Sequence, residues 1–155
     1  MKSFCLKNFK FPLFKGPLIE TFELKSIIDK ADSNLKVLDC TWSPDPINQK
    51  AKASFLEKRI KSAIFFDICD ITDKSSKFLY MMPSEEIFKE KMREMNVRKD
   101  DVVVCYDQKG IFSSPRVWFS FKMFGAKNVY VLNGGLPKYL KDNCSLEFGK
   151  KVILI

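Results

Sequence analysis

The sequence predicts an α/β domain, a mostly parallel central sheet flanked by helices. Three observations carry that expectation. Apolar runs of strand length, rich in β-branched and aromatic residues, recur at residues 35–40, 63–66, 102–106 and 128–132. Segments with helix-start signals and a helical apolar period separate them. At 155 residues the chain is long enough for one domain with a real core, but not comfortably for two. Strands that alternate with helices pair in parallel and are covered on both faces.

Taken in order, residues 1–17 form a basic and aromatic arm. Four lysines and no acid surround Phe4, Phe9, Phe11 and Phe14, and Pro12 and Pro17 oppose a continuous helix. Two readings stand for this arm, a targeting leader or a segment that docks on a partner. Thr21 is placed to cap a helix running to about Ala31, with Leu24, Ile27 and Ile28 on one face. After the strand at 35–40, Trp42-Ser-Pro-Asp-Pro46 turns the chain into a helix through residues 50–57. Residues 63–66 form the next strand, and an acidic loop follows at 67–73. Ser84 caps a helix that carries Glu85 and Glu86 in its first turn, where the helix dipole favours them. Its core stripe is Ile87, Phe88, Met92 and Met95. The run at 102–106 is the most apolar strand. Pro115 suits the first turn of the following helix, which stops at Gly125. A strand at 128–132, the pair Gly134-Gly135 and a short helix complete the pattern. Residues 143–155 are read as a C-terminal tail.

Composition removes several function classes. The chain has no histidine, which excludes Ser-His or Cys-His catalysis within it, His metal ligands and a His pH switch. Its five cysteines, Cys5, Cys40, Cys69, Cys105 and Cys144, are odd in number and form no CxxC pair. That argues against a disulfide framework and a structural zinc site. Net charge is +8, but lysines dominate and are scattered, with only four arginines, so a solvated surface is expected rather than a nucleic-acid site. No apolar run approaches the roughly 20 residues of a membrane helix. The acids Asp67, Asp70 and Asp73 lack the spacing of a calcium loop and read as turn formers. No metal site and no cofactor are expected.

Five segments then fall into an ordered pattern. They are Val37-Leu-Asp-Cys-Thr-Trp-Ser-Pro44, Arg59-Ile-Lys-Ser-Ala-Ile-Phe-Phe-Asp67, Met81-Met-Pro83, Gly110-Ile-Phe-Ser-Ser-Pro-Arg-Val-Trp118 and Val131-Leu-Asn-Gly-Gly-Leu-Pro137. Together they resemble the first domain of two-domain rhodanese sulfurtransferases, the thiosulfate and 3-mercaptopyruvate enzymes, over residues 18–142. The resemblance implies a rhodanese-like domain with a five-stranded parallel sheet. It implies that sulfane-sulfur transfer through a cysteine persulfide belongs to a second domain, with the first a silent relative that packs against it. One departure is Lys61-Ser62, where the family carries Pro-Gly, so the turn there is less constrained.

A rhodanese loop works because backbone N–H groups converge on a thiolate at the mouth of the sheet. Directly after the strand at 102–106 this chain places Asp107, and a carboxylate cannot form a stable persulfide. Cys105 is the alternative nucleophile, but its place inside an apolar strand favours an inert thiol. Gly110 and Arg116 are candidate anion binders, with a structural ion pair the competing role of Arg116. Trp42, Phe112, Ser113 and Trp118 are candidate partner-interface residues, because the matching surface of relatives faces the second domain. Such interfaces bury roughly 600–1,500 Å², and an uncovered apolar patch is a solubility hazard.

The expected function is that of a catalytically inactive rhodanese-like domain, a structural or binding subunit of a larger mitochondrial complex. A cytoplasmic location is the alternative. The expected partner is a protein covering the surface a second rhodanese domain would occupy. The competing function is sulfur transfer from thiosulfate or 3-mercaptopyruvate to a thiol or cyanide, through Cys105 or a separate catalytic partner.

Overall fold

The computed structural model describes residues 16–149. Most of the basic arm, Cys5 and the apolar end at 151–155 lie outside the described residues. In chain order the elements are β1 (Leu18–Ile19), α1 (Thr21–Asp29), β2 (Leu35–Asp39), α2 (Gln49–Glu57), β3 (Lys58–Ile60), β4 (Ile64–Phe65), α3 (Glu85–Glu94), β5 (Val102–Tyr106), α4 (Ser114–Met123), β6 (Val129–Leu132), α5 (Gly135–Lys141) and β7 (Leu146–Phe148).

Five strands form a parallel sheet in the order β1-β6-β5-β2-β4. All five residues of β5 are buried. Val102, Val104 and Tyr106 enter one apolar cluster with Leu24, Ile27, Leu136 and Tyr139. Val103 and Cys105 enter the other, with Phe88, Met92, Val117 and Phe121. That period of two is the signature of a strand covered on both faces, and it explains why the segment is apolar throughout. The fifth strand, implied by the resemblance but not by any apolar run, is β1. Two residues suffice because its neighbour β6 supplies the register, Leu18 opposite Val131.

The helices follow their local signals with one correction. Ser84 caps α3, its hydroxyl accepting the Ile87 N–H at 3.3 Å. Phe88 and Met92 are buried, while Ile87 and Met95 are only partly so. Pro115 lies in the first turn of α4, and Gly125 follows that helix at φ +83°. Thr21 does not cap α1. Glu20 occupies the cap, its N–H bonded to the Glu23 carboxylate at 2.8 Å, and Thr21 is the first helical residue. The Thr21 hydroxyl instead donates to Asp142 and ties α1 to the end of α5.

A second, two-stranded sheet pairs β3 with β7 in antiparallel fashion. Residues 146–148, within the region read as a tail, are thereby stitched to the domain. Arg59 holds the joint. Its side chain is 1 % exposed, and it donates to the Phe55 and Gly149 carbonyls and to Glu147 Oε1 at 2.9 Å. Glu147 also accepts the Ser62 N–H at 3.0 Å. Ser62 sits at φ +62°, so a side-chain-bearing residue occupies a left-handed position that favours glycine. The Ser62 N–H bond to Glu147 and the Ala63 N–H bond to the Ile60 carbonyl, 3.0 Å, hold that turn.

The site is positioned by topology. From β2 the chain runs outward to the edge strand β4, then returns through α3 to β5 on the other side of β2. The carboxyl ends of β2 and β5 therefore flank a topological switch point, where open α/β sheets form their ligand crevices.

Candidate functional site

Three segments meet at that switch point. Beyond β2 come Cys40, Thr41 and Trp42, and beyond β5 the loop from Asp107 to Ser113. The third is the turn Asn133-Gly134-Gly135 after β6. The last two are locked together. Leu136 N–H donates to the Asp107 carbonyl at 3.0 Å. A Cβ on Gly135 would lie 2.1 Å from the Gly110 carbonyl oxygen and 2.6 Å from that of Asp107. Gly134 and Gly135 also have φ of +74° and +54°. Both the backbone angle and the close approach require glycine here.

Asp107 is the first residue beyond β5 and is fully buried. Its Oδ2 accepts the backbone N–H groups of Phe112 (2.8 Å), Ser113 (3.0 Å) and Ser114 (3.0 Å), and the Ser114 hydroxyl (2.8 Å). Its Oδ1 accepts the Lys109 N–H at 2.9 Å. The loop is an anion nest at the start of α4, and the chain's own carboxylate fills it. Burial pushes the Asp107 carboxyl up, but the bonds donated by Ser114, Phe112 and Lys109 outweigh it and hold the group below the ordinary carboxylate range.

A second buried carboxylate lies behind it. Asp39 accepts from the N–H and hydroxyl of Thr41 and, at 3.0 Å, from Gln108 Nε2. The Gln108 N–H donates to the Thr41 hydroxyl at 3.0 Å. Here burial wins: it raises the Asp39 carboxyl despite the bonds from Thr41, Gln108 and Tyr106. This network was not read from sequence. Its signal is a polar residue at the end of each of two adjacent apolar strands.

No described thiol stands in the place of a nucleophile. Cys105 is fully buried among Leu38, Val103, Val117 and Phe121. Cys40 is equally buried, and burial, with Cys105 beside it, pushes its thiol well above the ordinary value. Burial also raises Cys69, followed by the charge of Asp67. A reactive thiol needs the opposite shift. In the acidic loop, Asp67 accepts the Cys69 N–H at 3.0 Å and Asp73 accepts the Ser75 N–H at 2.9 Å, both as turn formers. Asp70 pairs with Lys74 and Lys91.

Trp42, Phe112 and Ser113 come together, and Arg116 joins them. They line a cleft of about 240 Å³ with Ile68 and Tyr80. Trp42 stacks on Phe112 at 6.3 Å and meets Tyr80 edge-on at 5.5 Å. Tyr80 was not singled out, although it adjoins the Met81-Met-Pro83 motif. Ser113 braces the loop through its hydroxyl, which donates to the Cys40 carbonyl at 2.7 Å. Trp118 lies elsewhere, its indole N–H donating to the Val129 carbonyl at 3.0 Å. Gly110, at φ +115°, turns the loop and bridges to Asp107. The ion pair read as a competing role of Arg116 is not formed among the described residues. It donates to the Tyr80 carbonyl, and among the described residues no carboxylate is in ion-pair range. Of the cleft residues Phe112 is 59 % exposed, and Phe78, Leu79 and Met81, chain neighbours of Tyr80, are exposed as well, Leu79 at 80 %. A larger crevice of about 400 Å³ between α3 and α4 is lined by Phe88, Met92, Phe121 and Phe124, with none of the motif residues beyond β2 or β5.

With a five-stranded parallel sheet, a nest at the end of β5 and the five ordered motifs in place, the chain belongs to the rhodanese-like domain family, whose model matches residues 21–142. It is 36 % identical over 116 residues to thiosulfate/3-mercaptopyruvate sulfurtransferase 2 of Arabidopsis thaliana, covering 75 % of this chain and 34 % of that protein. In structure it resembles the 3-mercaptopyruvate sulfotransferase SseA from Escherichia coli, with a TM-score of 0.78 and 31 % identity over 87 % of this chain and 51 % of that one. It also resembles the sulfur transferase subunit of yeast mitochondrial complex I, with a TM-score of 0.72 and 36 % identity over 81 % of this chain and 41 % of that one. The chain spans a third to two-fifths of the curated relatives it matches, which fits a single domain of a two-domain enzyme.

Proposed function

We propose that this chain is a catalytically inactive rhodanese-like domain that serves as a structural or binding subunit of a larger protein complex. The observation that carries the reading is Asp107. Four donors converge on Oδ2, where a sulfur nucleophile would need them, and they are satisfied by a carboxylate that the fold encloses completely. An incoming sulfur anion would meet an occupied nest and a negative charge. The exposed aromatic cleft beside it supports the binding role, because interfaces concentrate such residues at their centres. A mitochondrial location draws support from the basic arm and from a relative that is a subunit of a mitochondrial complex. The cytoplasm is the alternative.

Sulfur transfer is the second reading. Through Cys105 it has no route, since that thiol is sealed in the core. Completion by a separate catalytic domain is favoured by the fraction of the relatives that this chain spans, and it would use the same cleft as the joint. The pure chain is expected to produce no thiocyanate or sulfide from thiosulfate or 3-mercaptopyruvate with cyanide or a thiol. It is also expected to carry no persulfide by mass spectrometry. Turnover that Cys105→Ser abolishes would overturn the inactive reading.

A further inference from the structure

We propose that the protein segment covering the Trp42–Phe112 cleft presents a carboxylate side chain to Arg116 and seats an adjacent apolar side chain on the aromatic rings. The inference rests on the partner-binding reading and supplies the chemistry of the partner.

Arg116 is a cation in an unusual position. It lies in the first turn of α4, is half-buried, and lines the cleft with Trp42, Ile68, Tyr80, Phe112 and Ser113. A guanidinium has five N–H donors in a planar fork. This one donates to a neutral backbone carbonyl, that of Tyr80. Burial pushes the guanidinium below its ordinary value, and among the described residues no carboxylate offsets that cost.

The local acids are committed elsewhere. Asp67 is paired with Lys52 at 2.6 Å, Asp70 with Lys74 at 2.8 Å and Lys91 at 2.9 Å, and Asp73 bonds to Ser75. Asp107 is enclosed by its own loop. A second cation stands at the rim. Lys109 Nζ lies 5.1 Å from the Phe112 ring centroid and donates to the Trp42 carbonyl at 3.3 Å. The cleft therefore offers positive charge above an aromatic floor.

Charge and size together select the occupant. A carboxylate matches the guanidinium fork and can take two parallel bonds. At about 240 Å³ the cleft is smaller than the roughly 300–1,000 Å³ of small-molecule sites, and suits one or two side chains of a protein segment. Aromatic residues with a central arginine also make up the energetic centres of protein interfaces.

The test uses the full chain and two blocked dipeptides, N-acetyl-Asp-Phe-amide and N-acetyl-Asn-Phe-amide. Binding is followed by NMR at the Trp42 indole N–H. The acidic probe is expected to bind at least about tenfold more tightly than its neutral twin. Arg116→Gln should erase that difference, and Arg116→Lys should restore part of it. Equal affinities in the wild-type chain, or no movement of the Trp42 signal, would overturn the inference. So would thiosulfate displacing the acidic probe at lower concentration, which would make this a small-anion site. If a native partner is lost from a Trp42→Ala, Phe112→Ala variant but kept by Arg116→Gln, the partner reading stands and the carboxylate falls.

Discussion

Asp107 and Asp39 show how environment gives one residue type opposite roles. Both are fully buried at the ends of neighbouring strands. Asp107 accepts enough donors for its folded pKa to lie below the unfolded value of about 3.9. Its contribution to stability is complete above about pH 4 and is lost as pH falls through the folded value. The Asp39 pKa is raised by burial, so its contribution has the other sign. It is present below about pH 4 and lost as pH rises through the folded value, which makes its charge a cost at neutral pH. Urea unfolding across pH 3–7 checks both. Asp107→Asn should lose about 2 kcal/mol at pH 7, because an amide N–H₂ must face one of the loop donors, and the deficit should shrink below about pH 4. Asp39→Asn should remove the rise in stability that the wild type shows as pH falls from 7 toward 4. Parallel profiles for the three proteins would contradict the assignment.

The elements most exposed to misreading were those held by distant partners. β5 was legible because its five residues carry their own signal, and so was the Ser84 cap of α3. β3 and β7 have none. Each is three residues long, and their pairing depends on a guanidinium sealed between them and Glu147. Arg59→Met should cost about 3 kcal/mol in urea unfolding, since it removes a buried guanidinium's bonds to Glu147 and to two carbonyls. It should also increase hydrogen exchange in residues 146–148. A loss below 1 kcal/mol would show that β7 is not tied to the domain by this residue. The Gly134-Gly135 turn is the converse case. Its motif was visible, but the reason for it, the Gly110 carbonyl against Gly135, is a contact between loops after different strands.

At the scale of the molecule, the described residues present an aromatic and cationic face at the carboxyl ends of the strands. Phe112 would gain from burial at about 25 cal/mol per Å² of apolar area, before the costs of association. Trp42→Ala with Phe112→Ala should release a protein that co-purifies with the wild-type chain, while the circular dichroism spectrum and cooperative unfolding persist. Unchanged co-purification would sink the interface reading. The double substitution is expected to be tolerated because Phe112 is exposed and Trp42 only partly buried.

By itself the sequence determined the α/β class, the strands whose apolar runs need no outside help, the family and the carboxylate directly after β5. Those features are local: a period, a cap, a turn or an ordered motif is written in adjacent residues. Only the tertiary structure decided that the carboxylate is enclosed by five donors, that Arg116 has a carbonyl and, among the described residues, no acid beside it, and that Trp118 stands apart from Trp42 and Phe112. Each of those depends on groups that approach across different strands and loops, where distance and burial set the charge balance and no spacing along the chain records it.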